Sequence, residues 1–332
     1  MIITRTPFRI SLFGGGTDYP NWYKEHRGAV LSTTINKYCY ISCRYLPPFF
    51  PYRYLARYSC REETKTIDEI KHPAVRECLR FMGFDKGIEM VHAGDIPARS
   101  GIGSSSAFTV GFLNALYALK GKMVTKRQLA REAIYVEQNL IKENVGSQDQ
   151  VATAFGGLNK IEFGGDQEFY VHPVTLSNGK LNLLQDHLML FFTGFVRNAS
   201  DIAEEQIRRV PEKKRELQIM KEMVDEAVNI LNGESNDIRN LGKLLHESWK
   251  LKRSLTELIS TNEVDNIYEK ALSSGAIGGK LIGAGGGGFI LLFVEPQIQS
   301  KIKETFKDLL YVPFRFENIG TQVVMYSTQD LF

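Results

Sequence analysis

Hydrophobic and polar positions divide the chain into stretches of different period. Residues 2–13, 29–45 and 88–93 are rich in β-branched and aromatic residues and are bounded by Gly or Pro, which predicts strands separated by turns. Over 125–142 the period lengthens to that of a helix: Leu129, Ala133, Val136 and Leu140 recur on one side, and Thr125 with Gln128 has the spacing of a capping box. Leu188-Met-Leu-Phe-Phe reads as a further strand. Residues 199–260, rich in Glu, Lys, Arg and Leu and poor in Gly, predict two or three amphipathic helices, with Pro211 interrupting or capping the first. Finally, Lys280-Leu-Ile-Gly, Ala284 with four glycines, and the apolar run 289–294 predict two strands joined by a turn. The fold class expected is α+β in two lobes, 1–186 and 187–332, divided near Asp186. No internal repeat or low-complexity tract occurs.

Composition narrows this picture. A length of 332 residues suits two domains at about 150 residues each. With 43% hydrophobic and 24% charged residues the chain can bury a core, which excludes wholesale disorder and a fibrous protein. A net charge of +3 is too weak to indicate a nucleic-acid backbone binder, although a small anion remains compatible. The aromatic and arginine-rich stretch 45–58 has the ingredients of a single-strand nucleic-acid surface, yet this charge balance favours a hairpin or lid loop. Cys39, Cys43, Cys60 and Cys78 lack C-x-x-C spacing, so neither a zinc ribbon nor a disulfide framework is expected. No apolar run reaches the ~18 residues of a membrane span, and the N-terminus carries no signal-peptide pattern. A cytoplasmic protein with neither nucleic acid nor membrane as partner is therefore expected. The apolar faces of the C-terminal helices suit either internal packing or a homo-oligomer.

Candidate chemistry lies in three glycine-rich segments and two carboxylates. Gly94-Asp-Ile-Pro-Ala-Arg-Ser100-Gly101-Ile-Gly103-Ser104-Ser105-Ser106-Ala opens an apolar helix. Free N–H groups at a helix start suit a phosphate, and three hydroxyls are more than one cap requires. No Walker-type sequence occurs. Gly283-Ala-Gly285-Gly-Gly-Gly288 satisfies G-x-G-x-x-G but precedes a strand, the wrong context for a dinucleotide. In the 125–142 helix, Glu137 projects into the apolar arc, where a carboxylate needs either a buried partner or a metal. Asp149, within Gly146-Ser-Gln-Asp-Gln, is either a helix cap or a catalytic carboxylate. Pro7-Phe-Arg9-Ile-Ser-Leu-Phe-Gly14-Gly15-Gly16-Thr17-Asp18-Tyr19 is a strand running into a glycine turn. That turn either grips a polyhydroxylated ligand or simply bends the chain, with Asp18 capping residues 20–24.

Taken in order, these three segments resemble the motifs of the GHMP kinases, and the resemblance spans nearly the whole chain. It implies that the loop Ser100, Gly101, Gly103, Ser104, Ser105 and Ser106 wraps the phosphates of ATP, that Ser105 and Glu137 hold Mg²⁺, and that Asp149 acts beside the attacking hydroxyl. In the galactokinase-like branch the metal carboxylate and the G-x-x-D-Q aspartate are twelve residues apart, the separation of Glu137 and Asp149 here. Arg9 matches the basic residue beside the catalytic Asp; Gly15, Gly16, Thr17, Asp18, Asp149 and Gly286 match sugar-binding positions. The galactokinase G-E-H-T-D is replaced by Gly14-Gly-Gly-Thr-Asp18, which argues against galactose. The G-G-G-T-D-Y-P version is similar to the D-glycero-D-manno-heptose 7-phosphate kinases of bacterial surface-polysaccharide synthesis, implying transfer from ATP to the anomeric hydroxyl of a small-molecule sugar phosphate. Arg44, Arg53, Arg57 and Arg99 are candidates for the substrate phosphate. The alternatives are another anomeric sugar kinase of the L-fucokinase type, or a non-catalytic sugar and ATP sensor.

Overall fold

The structure, a computed structural model, describes residues 1–98, 100–195, 199–235 and 237–327. The first lobe carries β1 (Ile2–Phe13), β2 (Gly28–Tyr45), β3 (Tyr54–Arg57), β4 (Arg61–Thr64), β5 (Ile88–Gly94), β6 (Leu158–Phe163) and β7 (Phe169–Pro173). The second carries β8 (Leu188–Phe192), β9 (Gly278–Leu281), β10 (Phe289–Phe293) and β11 (Leu310–Tyr311), after which β12 (Phe316–Glu317) and β13 (Gln322–Tyr326) return to the first. The larger sheet runs β13-β1-β2-β5-β3-β4, with β6 and β12 also on β2; the smaller runs β11-β8-β10-β9. All pairings are antiparallel except β3 with β5.

The helices are α1 (Pro20–His26), α2 (Pro73–Phe81), α3 (Ser104–Leu119), α4 (Lys126–Tyr135), α5 (Gln148–Phe155), α6 (Asn178–Asp186), α7 (Ala199–Arg209), α8 (Lys214–Asn232), α9 (Arg239–Ser254), α10 (Asn262–Ser273) and α11 (Gln299–Thr305). α3 is apolar nearly all round because it lies across β1 and β2 beneath α2, α4 and α5. The expected strands, the helices after 199 and the final strand pair all form. Pro211 sits in a 3₁₀ turn, 210–212, between α7 and α8, where its missing N–H costs no helix bond. Within the aromatic stretch 45–58, Tyr54, Leu55 and Ala56 are buried in β3, and Arg44 and Arg57 both pair with Glu89. The stretch thus supplies the first strand of a hairpin, β3, whose second strand is β4 just beyond it.

Two local features differ from expectation. The helix over 125–142 changes to π-helical winding at Val136–Ile141, which shifts the projection of Glu137 from that of a uniform 3.6-residue period. Only half the capping box forms: the Thr125 hydroxyl accepts the Gln128 N–H, while the Gln128 side chain turns to Tyr117 and Glu132. Among the described residues no helix is long and apolar enough to cross a membrane.

Candidate active site

A cavity of about 940 Å³ opens between the lobes, lined by β1, the loop before α3, the start of α5, Lys252 of α9 and Lys280 of β9. Its centre is the loop that caps α3. Gly103 precedes the helix at φ +74°, and Gly101 at φ +85° packs so closely on the third glycine segment that a Cβ there would stand 2.4 Å from the Ile282 carbonyl oxygen. Only glycine allows both the left-handed turn and that approach. Ser104, Ser105 and Ser106 line the cavity, and Ser105 is exposed. Ser100 is fully buried, and its hydroxyl closes the loop onto the Pro97 carbonyl at 2.7 Å. Arg99 lies outside the described residues.

Beside this loop, Arg9 forms a two-pronged ion pair with Asp149: Nε to Oδ1 at 2.7 Å and Nη2 to Oδ2 at 2.8 Å. Its third nitrogen, Nη1, donates to the Gly101 carbonyl at 2.7 Å. A planar guanidinium is suited to this fork. Asp149 occupies the first turn of α5 but caps nothing; the N-cap is Ser147, and it too makes no side-chain cap bond. Each carboxylate oxygen keeps acceptor capacity toward the cavity.

Glu137 is fully buried behind the loop. Its Oε2 accepts from Ser106 Oγ at 2.9 Å and from Gln150 Nε2, whereas Oε1 has no partner among the described residues. Burial pushes this carboxyl up to about 7. The buried hydroxyl on Glu137 belongs to Ser106, one residue beyond Ser105.

The first glycine turn is tied by Asp18, whose Oδ1 accepts the Gly16 N–H at 2.9 Å and whose Oδ2 accepts the Gln148 N–H at 3.4 Å. Gly146 is required by contact, since a Cβ would fall 1.9 Å from Asp18 Oδ2. Burial raises the Asp18 carboxyl above its ordinary range, and the Asp149 charge adds to this. Gly15, Gly16 and Asp18 line the cavity; Thr17 and Gly286 do not. The Thr17 hydroxyl donates to the carbonyls of Gly14 and Ala29, and the Gly286 N–H to that of Ile259.

Several groups absent from the sequence reading complete the walls. Ser11 and Gln148 stand next to Gly15, and their buried Oγ and Oε1 have no hydrogen-bond partner among the described residues. Lys252 and Lys280 bring ammonium groups from the second lobe, and burial pushes them down to about 8 and about 7. Elsewhere Tyr58, His72, His92 and Phe108 make an aromatic wall, with His72 stacked on Phe108 at 4.8 Å. Burial pushes His72 down to about 4, so the ring is uncharged at neutral pH. Arg44, Arg53 and Arg57 line no part of the cavity.

Residues 69–157 match the GHMP kinases N terminal domain and residues 216–311 the GHMP kinases C terminal domain. A D-glycero-alpha-D-manno-heptose 7-phosphate kinase from Campylobacter jejuni is 30% identical, over 97% of this chain and 98% of the relative. The chain is a GHMP kinase. Solved structures agree with that fold. A D-glycero-D-manno-heptose 1-phosphate kinase from Bacteroides thetaiotaomicron superposes with TM-score 0.77 at 22% identity, covering 98% of this chain and 100% of the other. Lactococcus lactis galactokinase complexed with galactose does so with 0.73 at 18%, covering 97% and 95%. As a GHMP kinase, the protein is an ATP-dependent sugar kinase, a phosphotransferase with an alcohol acceptor.

The GHMP kinase loops could be read from local glycine patterns. Lys252 carried a fainter signal. It continues the buried stripe of α9 formed by Leu241, Leu244, Leu245, Ser248 and Trp249, a place where an ammonium requires explanation. Ser11 and Gln148 carried none, because a lone Ser in a strand or Gln at a helix start is ordinary.

Proposed function

We propose that this kinase transfers the γ-phosphoryl group of ATP to the anomeric hydroxyl of D-glycero-D-manno-heptose 7-phosphate, giving the 1,7-bisphosphate and ADP. The observation that carries the reading is the Arg9–Asp149 pair held against Gly101 of the phosphate loop. It puts a fixed carboxylate beside the place where backbone amides can hold phosphate. The 30% identical relative supports the choice of sugar. A cytoplasmic role in bacterial surface-polysaccharide synthesis goes with it, as does a division of labour between residues 1–186 for ATP and 187–332 completing the acceptor pocket.

Phosphoryl transfer requires alignment and charge neutralisation more than covalent help from the protein. The amides at the start of α3 bind the phosphates, with the helix dipole favouring their charge. The wall of Tyr58, His72, His92 and Phe108 offers the adenine a neutral stacking surface. Asp149 accepts the hydrogen bond of the anomeric hydroxyl and takes its proton as the new P–O bond forms, while Arg9 fixes the carboxylate's direction. Asp18, Ser11 and Gln148 orient the other sugar hydroxyls. Glu137, whose buried Oε1 has no hydrogen-bond partner among the described residues, and the Ser105 hydroxyl at the loop mouth are the groups that would hold Mg²⁺, an ion commonly held by one or two carboxylates together with substrate phosphates. Bound there, it would supply charge neutralisation for the transferring phosphates.

The test is ADP release from Mg·ATP with the heptose 7-phosphate, the free heptose, mannose, galactose and L-fucose. Turnover dominated by the heptose phosphate is expected. Turnover confined to L-fucose would move the assignment to the alternative represented by the Arabidopsis thaliana bifunctional fucokinase/GDP-fucose pyrophosphorylase, 25% identical over 89% of this chain and 30% of that protein. The non-catalytic sensor is not retained for a chain shown to be a kinase.

A further inference from the structure

Lys252 and Lys280 are each 5% exposed, come from different elements of the second lobe, and line the same cavity. Their ammonium groups have only neutral partners. Lys280 Nζ donates to the Leu12 carbonyl at 3.2 Å; Lys252 Nζ donates to the Gly15 carbonyl at 3.2 Å and to Gln206 Oε1 at 2.6 Å. Among the described residues neither forms an ion pair, in contrast to Arg9, whose charge is met by Asp149. An ammonium has three N–H donors, so this pair keeps three unspent inside the protein. Asp18, the carboxylate whose charge both lysines feel, is already committed to two backbone N–H groups. This part of the cavity wall thus sets three basic side chains, Arg9, Lys252 and Lys280, against two carboxylates, Asp18 and Asp149, an imbalance that an arriving anion would offset.

We propose that Lys252 and Lys280 together form the subsite for a phosphate carried by the acceptor. Where the lysines are anchored decides between the two phosphoryl groups that such a site could meet. Both are tied to the end of β1 and the glycine turn bearing Asp18, not to the loop at the start of α3, which has its own amides for the nucleotide. The acceptor's phosphate therefore lies between two ammonium groups, and the sugar hydroxyls lie toward Asp18, Ser11 and Gln148. This deepens the proposed function and rests on its reading of the cavity as a sugar-kinase site. It also explains why Arg44, Arg53 and Arg57, all outside the cavity, are not needed there.

Lys252→Met and Lys280→Met, with Lys→Arg at each position as the conservative partner, test the assignment. Each Met variant should raise KM for the heptose 7-phosphate roughly 10–100-fold, the usual worth of a hydrogen bond to a charged group. It should shrink the preference for phosphorylated over free heptose by the same factor, and the Arg variants should recover part of it. Equal losses on both sugars with a raised KM for ATP would assign the lysines to the transferred γ-phosphoryl and overturn the proposal. Without ligands the Met variants should melt at or above the wild-type temperature, because an uncompensated charge is removed. A fall in both would make the lysines structural ties and also overturn it. Should wild type turn over no heptose phosphate, the substrate assignment fails but the subsite is still readable. With ADP filling the nucleotide site, inorganic phosphate should raise the melting temperature of wild type and not of the Lys252→Met/Lys280→Met double variant; no rise in wild type refutes the subsite.

Discussion

The two ends of the cavity are built from different materials. At the end we assign to the nucleotide the groups on offer are backbone amides, small hydroxyls and a helix dipole, shaped by glycines whose positive φ and tight contacts admit no other residue. At the end we assign to the acceptor they are charged side chains, with Asp18, Arg9, Lys252 and Lys280 buried and Asp149 half-buried, gathered from β1, the first glycine turn, α5, α9 and β9. In the proposed reading the first end would bind a group common to every turnover, which asks mainly for shape. In the same reading the second would discriminate, through charge and hydrogen-bond capacity that a particular sugar would satisfy. Such sites give strong rejection of ligands lacking the matching group, because buried partners are then left unpaired.

The largest effect that could break this contrast is at the acceptor end. Asp149→Asn keeps the shape but removes the charge that meets Arg9 and, in the proposed mechanism, the site for the acceptor's proton. Turnover should fall about 10²–10⁴-fold, with KM for ATP within about twofold of wild type. Steady-state ADP release checks both. Near-normal turnover would leave the acceptor end with no chemical role. At the nucleotide end the sharper probe is geometric. Gly101→Ala adds a Cβ 2.4 Å from the Ile282 carbonyl oxygen at φ +85°, so the loop must shift. Backbone strain of about 1–3 kcal/mol predicts a KM for ATP raised roughly 10–100-fold. If KM for ATP stays put while the acceptor KM rises, the two ends are not separable in the way their construction suggests.

The same contrast explains what the sequence made legible. Strands, the loop-to-helix start of α3 and the paired strands around the third glycine segment follow from local patterns, and each appears where the pattern places it. Glu137 and Asp149 stood out because a carboxylate in an apolar arc and one among small residues are locally anomalous. The acceptor end depends on contacts between distant segments, such as Lys280 on Leu12 and Lys252 on Gly15, and no local period encodes those. Winding was hidden for a related reason. The π-helical turn at Val136–Ile141 has the apolar spacing of an ordinary helix, and its placement of Glu137 beside Ser106 and Gln150 emerges only when α3 and α5 are in position.

The smallest effect tests whether the acceptor end is electrostatically incomplete without its ligand. Lys280 titrates at about 7 in the folded protein, against 10.5 for an ordinary lysine. Between those values the unfolded chain binds a proton that the folded chain has released, so this group makes stability rise with pH. Glu137 works in the opposite sense, mostly below pH 7, because its folded carboxyl holds a proton that the unfolded one has lost. Cys39, Cys43 and Cys78, held by burial above their ordinary 9.0, lower stability only as the pH passes that value. The lysine is therefore read as the difference between wild type and Lys280→Met from pH 7 to about 8.5, where wild type should gain about 1.5 kcal/mol on the variant. Urea midpoints of the two ligand-free proteins across that window measure it. Parallel pH slopes would mean that the Lys280 charge is already balanced in the folded protein, and the acceptor end would then be as self-sufficient as the nucleotide end.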